Sequence, residues 1–210
     1  MTSEVGGVDV SRETIAYLED FAALTTKWTP KINLIAQSTV NDIWNRHIVD
    51  SAQLYKFAPS NFRHWVDLGS GGGFPGIVMA IIGKEKAPRA RFTFIESDLR
   101  KSTFLRTAVR EYGLNVTVIS ERIERADPQH ANVVSARALA PLSGLLCHVV
   151  RHMKDDGICL LHKGKQADQE IADARRNWSF QLEDHASITD PEARLLAIQR
   201  ITTRGQETIA

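Results

Sequence analysis

The sequence predicts an α/β protein in which a mostly parallel sheet of seven strands follows a helical N-terminal segment. Before about residue 64, apolar residues recur at spacings of three and four, as one face of a helix requires. After that point, short apolar runs rich in β-branched and aromatic residues alternate with helical stretches, which is typical of βαβ units. We therefore divide the chain into an N-terminal helical cap, residues 1–63, and a sheet-containing core, residues 64–210, that together form one unit.

The cap is predicted to contain two helices. The apolar positions Ile15, Leu18 and Phe21 begin a stripe that predicts a helix at about residues 10–29. Pro30 lacks an amide donor and clashes with the preceding turn, so we expect a loop at residues 30–35. Thr39 with an acidic residue three positions later resembles a capping box, and a second helix is predicted from about residue 40 to residue 57.

The core is predicted to alternate strands with helices and to close with an antiparallel hairpin. A helix is expected near residues 166–177, and a turn at Thr189-Asp190-Pro191 is expected to join the last two strands. The predicted strands lie at residues 64–68, 91–95, 115–119, 131–135, 158–162, 178–188 and 194–201.

Composition and termini restrict the class of protein. Lys and Arg number 26 against 25 Asp and Glu, a formal net charge of +1, which excludes a strongly basic tail. The two cysteines match no metal-ligand spacing, so no metal site is predicted. There is no signal-peptide pattern, and the longest apolar run, residues 77–82, is far shorter than the roughly 18 residues of a membrane span. We expect a monomeric cytoplasmic protein without a membrane segment.

The strongest chemical signal is the glycine-rich turn of residues 69–76, which follows the first core strand and precedes a helix. Glycines let the backbone take positive φ and approach a ligand closely. The phosphate loop of nucleoside triphosphatases is excluded, because no Gly-Lys-Ser/Thr follows at the required spacing. A dinucleotide loop stays open, since Gly71, Gly73 and Gly76 satisfy its spacing. Asp67 argues against a pyrophosphate through charge repulsion and favours a cationic ligand such as S-adenosylmethionine.

A second acidic residue supports a nucleoside ligand. Glu96 ends the second core strand, where a carboxylate can accept hydrogen bonds from both ribose hydroxyls. The glycine turn and Glu96 together predict a Rossmann-like core that binds a nucleoside ligand, and Asp67 favours S-adenosylmethionine over a dinucleotide.

The chain resembles the RsmG (also called GidB) methyltransferases, which methylate N7 of a guanine in 16S ribosomal RNA. The resemblance covers nearly the whole chain and implies a Rossmann-like class I methyltransferase fold that uses S-adenosylmethionine and releases S-adenosylhomocysteine. The segments that carry it are Asn33-Leu34, residues 46–51, residues 67–76, Lys101 with Phe104-Leu105, Ser135-Ala136-Arg137-Ala138 and Lys163-Gly164.

The resemblance also implies roles for individual residues. Arg137 and Lys163 are the candidate catalytic residues, and Arg46, His47 and Lys101 the candidate RNA contacts. The implied partner is 16S ribosomal RNA in a 30S-like ribonucleoprotein particle. The candidate cofactor contacts are Asp67, Gly69, Gly71, Gly73, Phe74, Glu96, Ile123, Glu124 and Arg137.

Several residues also have a structural interpretation. His47 lies on an apolar stripe, as buried core histidines do. Arg46 and Asp50 are four residues apart and could form an ion pair on one helix face. Residues 84–125 hold ten Lys or Arg against six acids, which provides a basic surface for phosphates or a solvated face. A nicotinamide-dependent oxidoreductase and a non-catalytic RNA-binding assembly module remain as alternatives.

The segment after the fourth core strand bears on the methylated atom. Residues 135–140 lack the Asp/Asn-Pro-Pro-aromatic motif that commonly accompanies methylation of an exocyclic amine, and neither cysteine lies at a strand end. A ring nitrogen such as guanine N7 needs neither device, because its lone pair is already nucleophilic and no proton leaves. The sequence therefore predicts positioning of the base, without an essential proton acceptor.

Overall fold

Seven strands form the central sheet of the computed structural model, which describes residues 2–205. Their spatial order is β5-β4-β3-β6-β7-β9-β8. Strands β3 to β7 pair in parallel, whereas β9 pairs antiparallel with both β7 and β8. The sheet strands are β3 (His64–Leu68), β4 (Arg91–Ile95), β5 (Val116–Ile119), β6 (Ala131–Arg137), β7 (Met153–Lys163), β8 (Trp178–Ala186) and β9 (Arg194–Thr203). This topology confirms the predicted mostly parallel sheet with a closing antiparallel hairpin.

The direction of chain progression reverses at β3. The chain runs from β3 outward to β4 and β5, then returns to β6 on the other side of β3. In open α/β sheets, ligands bind outside the carboxyl ends of the strands at such a reversal. The loops that follow β3 and β6 therefore border the expected ligand site.

Helices cover both faces of the sheet. One apolar core joins α1, α3 and α4 to the sheet through Phe21, Trp65 and Phe104. The other joins α5 and α6 to the sheet through Leu146, Ala174 and Val66. The helices are α1 (Arg12–Ile32), α2 (Asp50–Ala52), α3 (Gly76–Lys86), α4 (Leu99–Glu111), α5 (Leu142–His152) and α6 (Ala167–Asn177). Because cap residues enter the first core, cap and sheet share one interior. Within residues 2–205, no helix is both long and apolar enough to cross a membrane.

The N-terminus begins with a hairpin that was not predicted. Strands β1 (Thr2–Val5) and β2 (Val8–Ser11) pair antiparallel around Gly6-Gly7. Both glycines have positive φ, +60° and +78°, as a two-residue hairpin turn requires. The Val-Gly-Gly-Val sequence was the available signal.

The prediction that Pro30 ends α1 was wrong. The helix continues to Ile32 and ends at Asn33, whose N–H donates to the Thr29 carbonyl at 2.9 Å. A proline in the last turn removes only its own N–H from the helix, and the following residues still complete the turn.

The second cap helix is interrupted rather than continuous. Residues Gln37–Asp42 form a 3₁₀-helix, Trp44–Val49 a π-helix, Asp50–Ala52 the short α2, and Gln53–Phe57 another 3₁₀-helix. Thr39 is not an N-cap: its hydroxyl donates to the Ala36 carbonyl at 2.8 Å. A π-helical turn rotates the side chains that follow it, and such turns often occur at functional sites.

Candidate active site

Two neighbouring cavities open at the carboxyl edge of the sheet. The glycine-loop cavity, of about 420 Å³, is lined by Gly69, Gly71, Glu96 and Ile123 among others. The hairpin-side cavity, of about 470 Å³, lies toward the β8–β9 turn and is lined by Arg46, Asp50, His162, Lys163, Glu170 and Asp190 among others. Residues 137–140, which end β6 and follow it, line both cavities. Groups bound in the two cavities would therefore meet at this shared wall.

The glycine loop places backbone at the floor of its cavity. Gly69 has φ +65° and its N–H donates to the Ile95 carbonyl at 2.9 Å, which ties the loop to β4. A Cβ at Gly69 would lie 2.6 Å from Leu139 Cδ1, so a side chain there would collide with the shared wall. A Cβ at Gly71 would meet no atom closer than 3.7 Å, which leaves the loop open on the cavity side.

Glu96 faces the same cavity from the end of β4. Its Oε2 accepts the Gly71 N–H at 2.8 Å, and its Oε1 accepts the Asp98 N–H at 2.7 Å. Each carboxylate oxygen can accept about two hydrogen bonds, so both oxygens keep capacity for a ligand hydroxyl. Ile123, Glu124 and Lys101 line the same cavity. Glu96 therefore both supports the loop and presents acceptors to the cavity.

Asp67 does not line the cavity, contrary to the position assumed from the sequence. Its side chain is fully buried on the α3 side of β3, where Ser135 Oγ donates to Oδ1 at 2.6 Å. A Cβ at Gly76 would lie 2.7 Å from Asp67 Oδ2, so only glycine fits against this carboxyl at the start of α3. Burial raises the pKa of Asp67 from its ordinary 3.8 to about 7, against the lowering effect of the hydrogen bond from Ser135. Asp67 thus supports the glycine loop from below.

Phe74 and His47 pack against each other in the interior. Their ring centroids are 4.9 Å apart, and the ring centroids of Phe74 and Phe21 are 5.1 Å apart. His47 Nε2 hydrogen-bonds the Thr39 hydroxyl at 2.8 Å. Burial, followed by the charge of Arg137, lowers the pKa of His47 from 6.5 to about 4. His47 is therefore a neutral core histidine, and neither it, Phe74 nor Gly73 lines the two cavities.

Arg137 forms part of both cavities. Its Nη1 lies 3.3 Å from Asp50 Oδ2, and its Nη2 donates to the Arg46 carbonyl at 3.2 Å. Only 23% of its side chain is exposed, so its guanidinium is fixed rather than free in solvent. Arg137 therefore lies at the carboxyl edge of the sheet, as predicted, and two cap residues hold its guanidinium in place.

Asp50 connects the cap, the sheet and the hairpin turn, which the sequence did not reveal. Its Oδ1 accepts from Gln53 Nε2 at 3.0 Å and from the Thr189 hydroxyl at 2.8 Å. The buried His162 bonds the Asp50 carbonyl through Nε2 at 2.8 Å. Most of these partners lie far away in sequence, so only the fold brings them together.

Arg46 does not pair with Asp50. Its Nη1 instead contacts Asp190 Oδ2 at 2.8 Å, in the predicted turn of the β8–β9 hairpin. The i to i+4 pair expected from a regular helix fails because residues 44–49 are π-helical. Arg46 and Asp190 together form one rim of the hairpin-side cavity.

Lys163 is the last residue of β7 and lies at the back of the hairpin-side cavity. Its ammonium donates to the Ala140 carbonyl and to Glu170 Oε2, both at 2.7 Å. Its side chain is only 8% exposed. Lys163 thus joins the shared wall to α6.

The fold is shared with solved structures, one of them named as a SAM-dependent methyltransferase. A cofactor-bound structure of Rv0187 from MTB matches with a TM-score of 0.59 at 14% identity, over 90% of this chain and 91% of that one. A SAM-dependent methyltransferase from Aquifex aeolicus matches with a TM-score of 0.55 at 12% identity, over 71% and 88%. The sheet topology and the glycine loop thus define a Rossmann-like, S-adenosylmethionine-dependent methyltransferase fold.

The family follows from sequence. The family model described as rRNA small subunit methyltransferase G (GidB) matches residues 14–197. A protein of Cereibacter sphaeroides named ribosomal RNA small subunit methyltransferase G is 52% identical over 192 residues, 91% of this chain and 92% of its own length. The chain belongs to the rRNA small subunit methyltransferase G family, which confirms the resemblance found in its motifs.

Proposed function

We propose that this protein transfers the methyl group of S-adenosylmethionine to N7 of a guanine in 16S ribosomal RNA. The observation that carries the proposal is the wall of residues 137–140, which borders both cavities at the reversal point of the sheet. A cofactor in the glycine-loop cavity and a base in the hairpin-side cavity would meet there. We further propose that the protein acts as a monomer on a 30S-like particle.

The glycine-loop cavity fits S-adenosylmethionine in size and in chemistry. Its volume of about 420 Å³ lies within the range of small-molecule sites. Glu96 would accept from the ribose hydroxyls, Gly69 and Gly71 would allow close approach of the backbone, and residues 123–124 would border the adenine. When bound, S-adenosylmethionine supplies an electrophilic methyl carbon on a sulfonium. The protein's own contribution is to fix that group beside the shared wall.

The side chains around the hairpin-side cavity suit positioning rather than proton removal. Burial lowers the pKa of His162, and its Nε2 is already bonded to the Asp50 carbonyl. Arg137 and Lys163 are held by Asp50 and Glu170, respectively. Methylation at N7 releases no proton, so fixed cations and neutral imidazoles are compatible with it. Holding the N7 lone pair in line with the methyl carbon contributes up to about 7 to 11 kcal/mol.

The RNA would approach across the rims of both cavities. Lys101 lies at the rim of the glycine-loop cavity, and Arg46 lies at the rim of the hairpin-side cavity with 42% of its side chain exposed. Both can contact phosphates on either side of a base that enters between them. His47, by contrast, contributes through packing against Phe74.

Two measurements test this proposal. In calorimetry, S-adenosylmethionine and S-adenosylhomocysteine should bind and NAD should not; binding of NAD alone would favour the oxidoreductase. In a transfer assay, small-subunit RNA with 7-deazaguanine at the target should bind but gain no methyl group. Methylation of that RNA would contradict the assignment to N7. Cofactor binding without transfer to any RNA would favour the non-catalytic assembly module.

A further inference from the structure

One carboxylate in the hairpin-side cavity has an unused acceptor. Three acidic residues line this cavity, Asp50, Glu170 and Asp190. Both oxygens of Asp50 are engaged, Oδ1 by Gln53 and hydroxyl groups of the hairpin turn, and Oδ2 by the Arg137 guanidinium at 3.3 Å. Asp190 is also engaged through both oxygens, by Arg46 and by the N–H of residue 192. This leaves Glu170.

Glu170 is held by one oxygen and free at the other. Its Oε2 accepts from Lys163 Nζ at 2.7 Å and from the Leu142 N–H at 2.8 Å. Its Oε1 makes no hydrogen bond within the part of the chain that the structure describes. The side chain lines the cavity and is 22% exposed. Because Oε2 is fixed by two donors, the direction in which Oε1 can accept is also fixed.

The position of Glu170 relates it to the reacting atoms. Lys163, which holds Glu170, also donates to the carbonyl of Ala140, a residue of the shared wall. Glu170 Oε2 also accepts from the N–H of Leu142, so the carboxylate lies beside the end of the wall. A base in the hairpin-side cavity whose N7 points across the wall toward the glycine-loop cavity could turn its adjacent Watson-Crick edge along the wall toward Glu170. Donors aimed at N7 would occupy the nucleophilic lone pair, so the base must be recognised elsewhere than at N7.

We propose that Glu170 is the residue that selects guanine, through acceptance by Oε1 of the N1–H and the 2-amino group. This inference rests on the proposed function. A carboxylate is only an acceptor, and guanine presents two donors on this edge. Adenine also has a nucleophilic N7, but its N1 is an acceptor and would face the carboxylate with repulsion. Glu170 therefore distinguishes guanine from adenine, although both bases carry a nucleophilic N7.

The same contact favours the transition state over the bound substrate. As the N7 lone pair forms a bond to the methyl carbon, the carbon–sulfur bond breaks and its electron pair passes to sulfur. The positive charge moves from sulfur to the guanine ring, and no proton is lost. The ring N1–H becomes a stronger donor as this charge develops, so its bond to Glu170 strengthens during the reaction.

The test is Glu170→Gln, combined with a change in the base. The glutamine side-chain carbonyl can still accept from Lys163 and from the Leu142 N–H. Its amino group, which is a donor, then occupies the position of the free acceptor Oε1. With small-subunit RNA as substrate, kcat/KM should fall about ten- to a hundredfold, with a loss in kcat as well as a rise in KM. Asp173→Asn, on the exposed side of the same helix, removes the same charge and should match wild type.

RNA with hypoxanthine at the target guanine separates recognition from structural support. Hypoxanthine lacks the 2-amino group, so wild type should lose several-fold in transfer and in RNA affinity measured without cofactor. Glu170→Gln should lose nothing further from this change. Equal losses in both proteins, or full activity of Glu170→Gln on guanine, would overturn the inference. Failure of wild type itself to methylate small-subunit RNA would instead overturn the proposed function.

Discussion

Replacement of Asp67 by asparagine should change the pH dependence of stability. Asp67 is fully buried, and burial raises its pKa from 3.8 to about 7. The unfolded chain releases this proton near pH 4, whereas the folded protein holds it until about pH 7. The folded state therefore binds more protons between these values, and rising pH reduces stability across this window. The shift in the pKa of Asp67 corresponds to about 4 kcal/mol of unfolding free energy, and this contribution is lost once the pH exceeds about 7.

The asparagine side chain of the Asp67→Asn variant would keep an acceptor for the Ser135 hydroxyl and would not ionise. The unfolding free energy of Asp67→Asn minus that of wild type should therefore rise by about 3 kcal/mol between pH 5 and pH 8. Urea denaturation at four pH values in this range measures it. Asp127→Asn, at an exposed position, is the matched control and should give a difference that is flat with pH. A flat difference for Asp67→Asn, with both proteins folded, would refute the assignment of a raised pKa.

Two further substitutions and a change in salt concentration test the site. Glu96→Ala should weaken S-adenosylmethionine binding about ten- to a hundredfold in calorimetry, because ribose hydroxyls lose a charged acceptor; unchanged affinity in a folded variant would contradict the ribose role. Arg137→Ala should abolish methyl transfer while circular dichroism shows a retained fold, since the shared wall loses its fixed cation; transfer at the wild-type rate would show that Arg137 is not needed. RNA affinity should fall about 10³- to 10⁵-fold between 50 and 200 mM salt if six to ten phosphates are contacted; a flat response would exclude such contacts.

Periodicity predicted the sheet well because its strands are short and alternate regularly with helices. The bounds of β3 and β4 agree with the predicted 64–68 and 91–95, whereas β6 and β7 extend beyond their predicted ranges. The cap was harder to predict. Helix α1 continues past Pro30 because a proline in the last turn removes only its own N–H from the helix. Residues 44–49 are π-helical, but their apolar stripe is the one that an α-helix would also show, so the sequence could not distinguish the two.

The positions of the candidate site residues were predictable where the backbone and the end of a strand determine the geometry. The glycine loop and Glu96 meet because β3 and β4 are adjacent parallel strands. The Asp67 side chain was expected at the ligand, whereas the alternation of side chains along β3 turns it toward α3. The contacts of Asp50 with residues 187–189 were not predictable, because they depend on how the β8–β9 hairpin packs against the cap.

The most direct test of the two-cavity arrangement is nucleoside mass spectrometry of the RNA product. The purified protein would be incubated with S-adenosylmethionine and small-subunit particles that lack this modification, and the RNA then digested to nucleosides. One 7-methylguanosine per RNA should appear with wild type and not with Arg137→Ala. A methyl group on a different atom or base, or none at all from a protein that binds both ligands, would contradict transfer across the wall of residues 137–140.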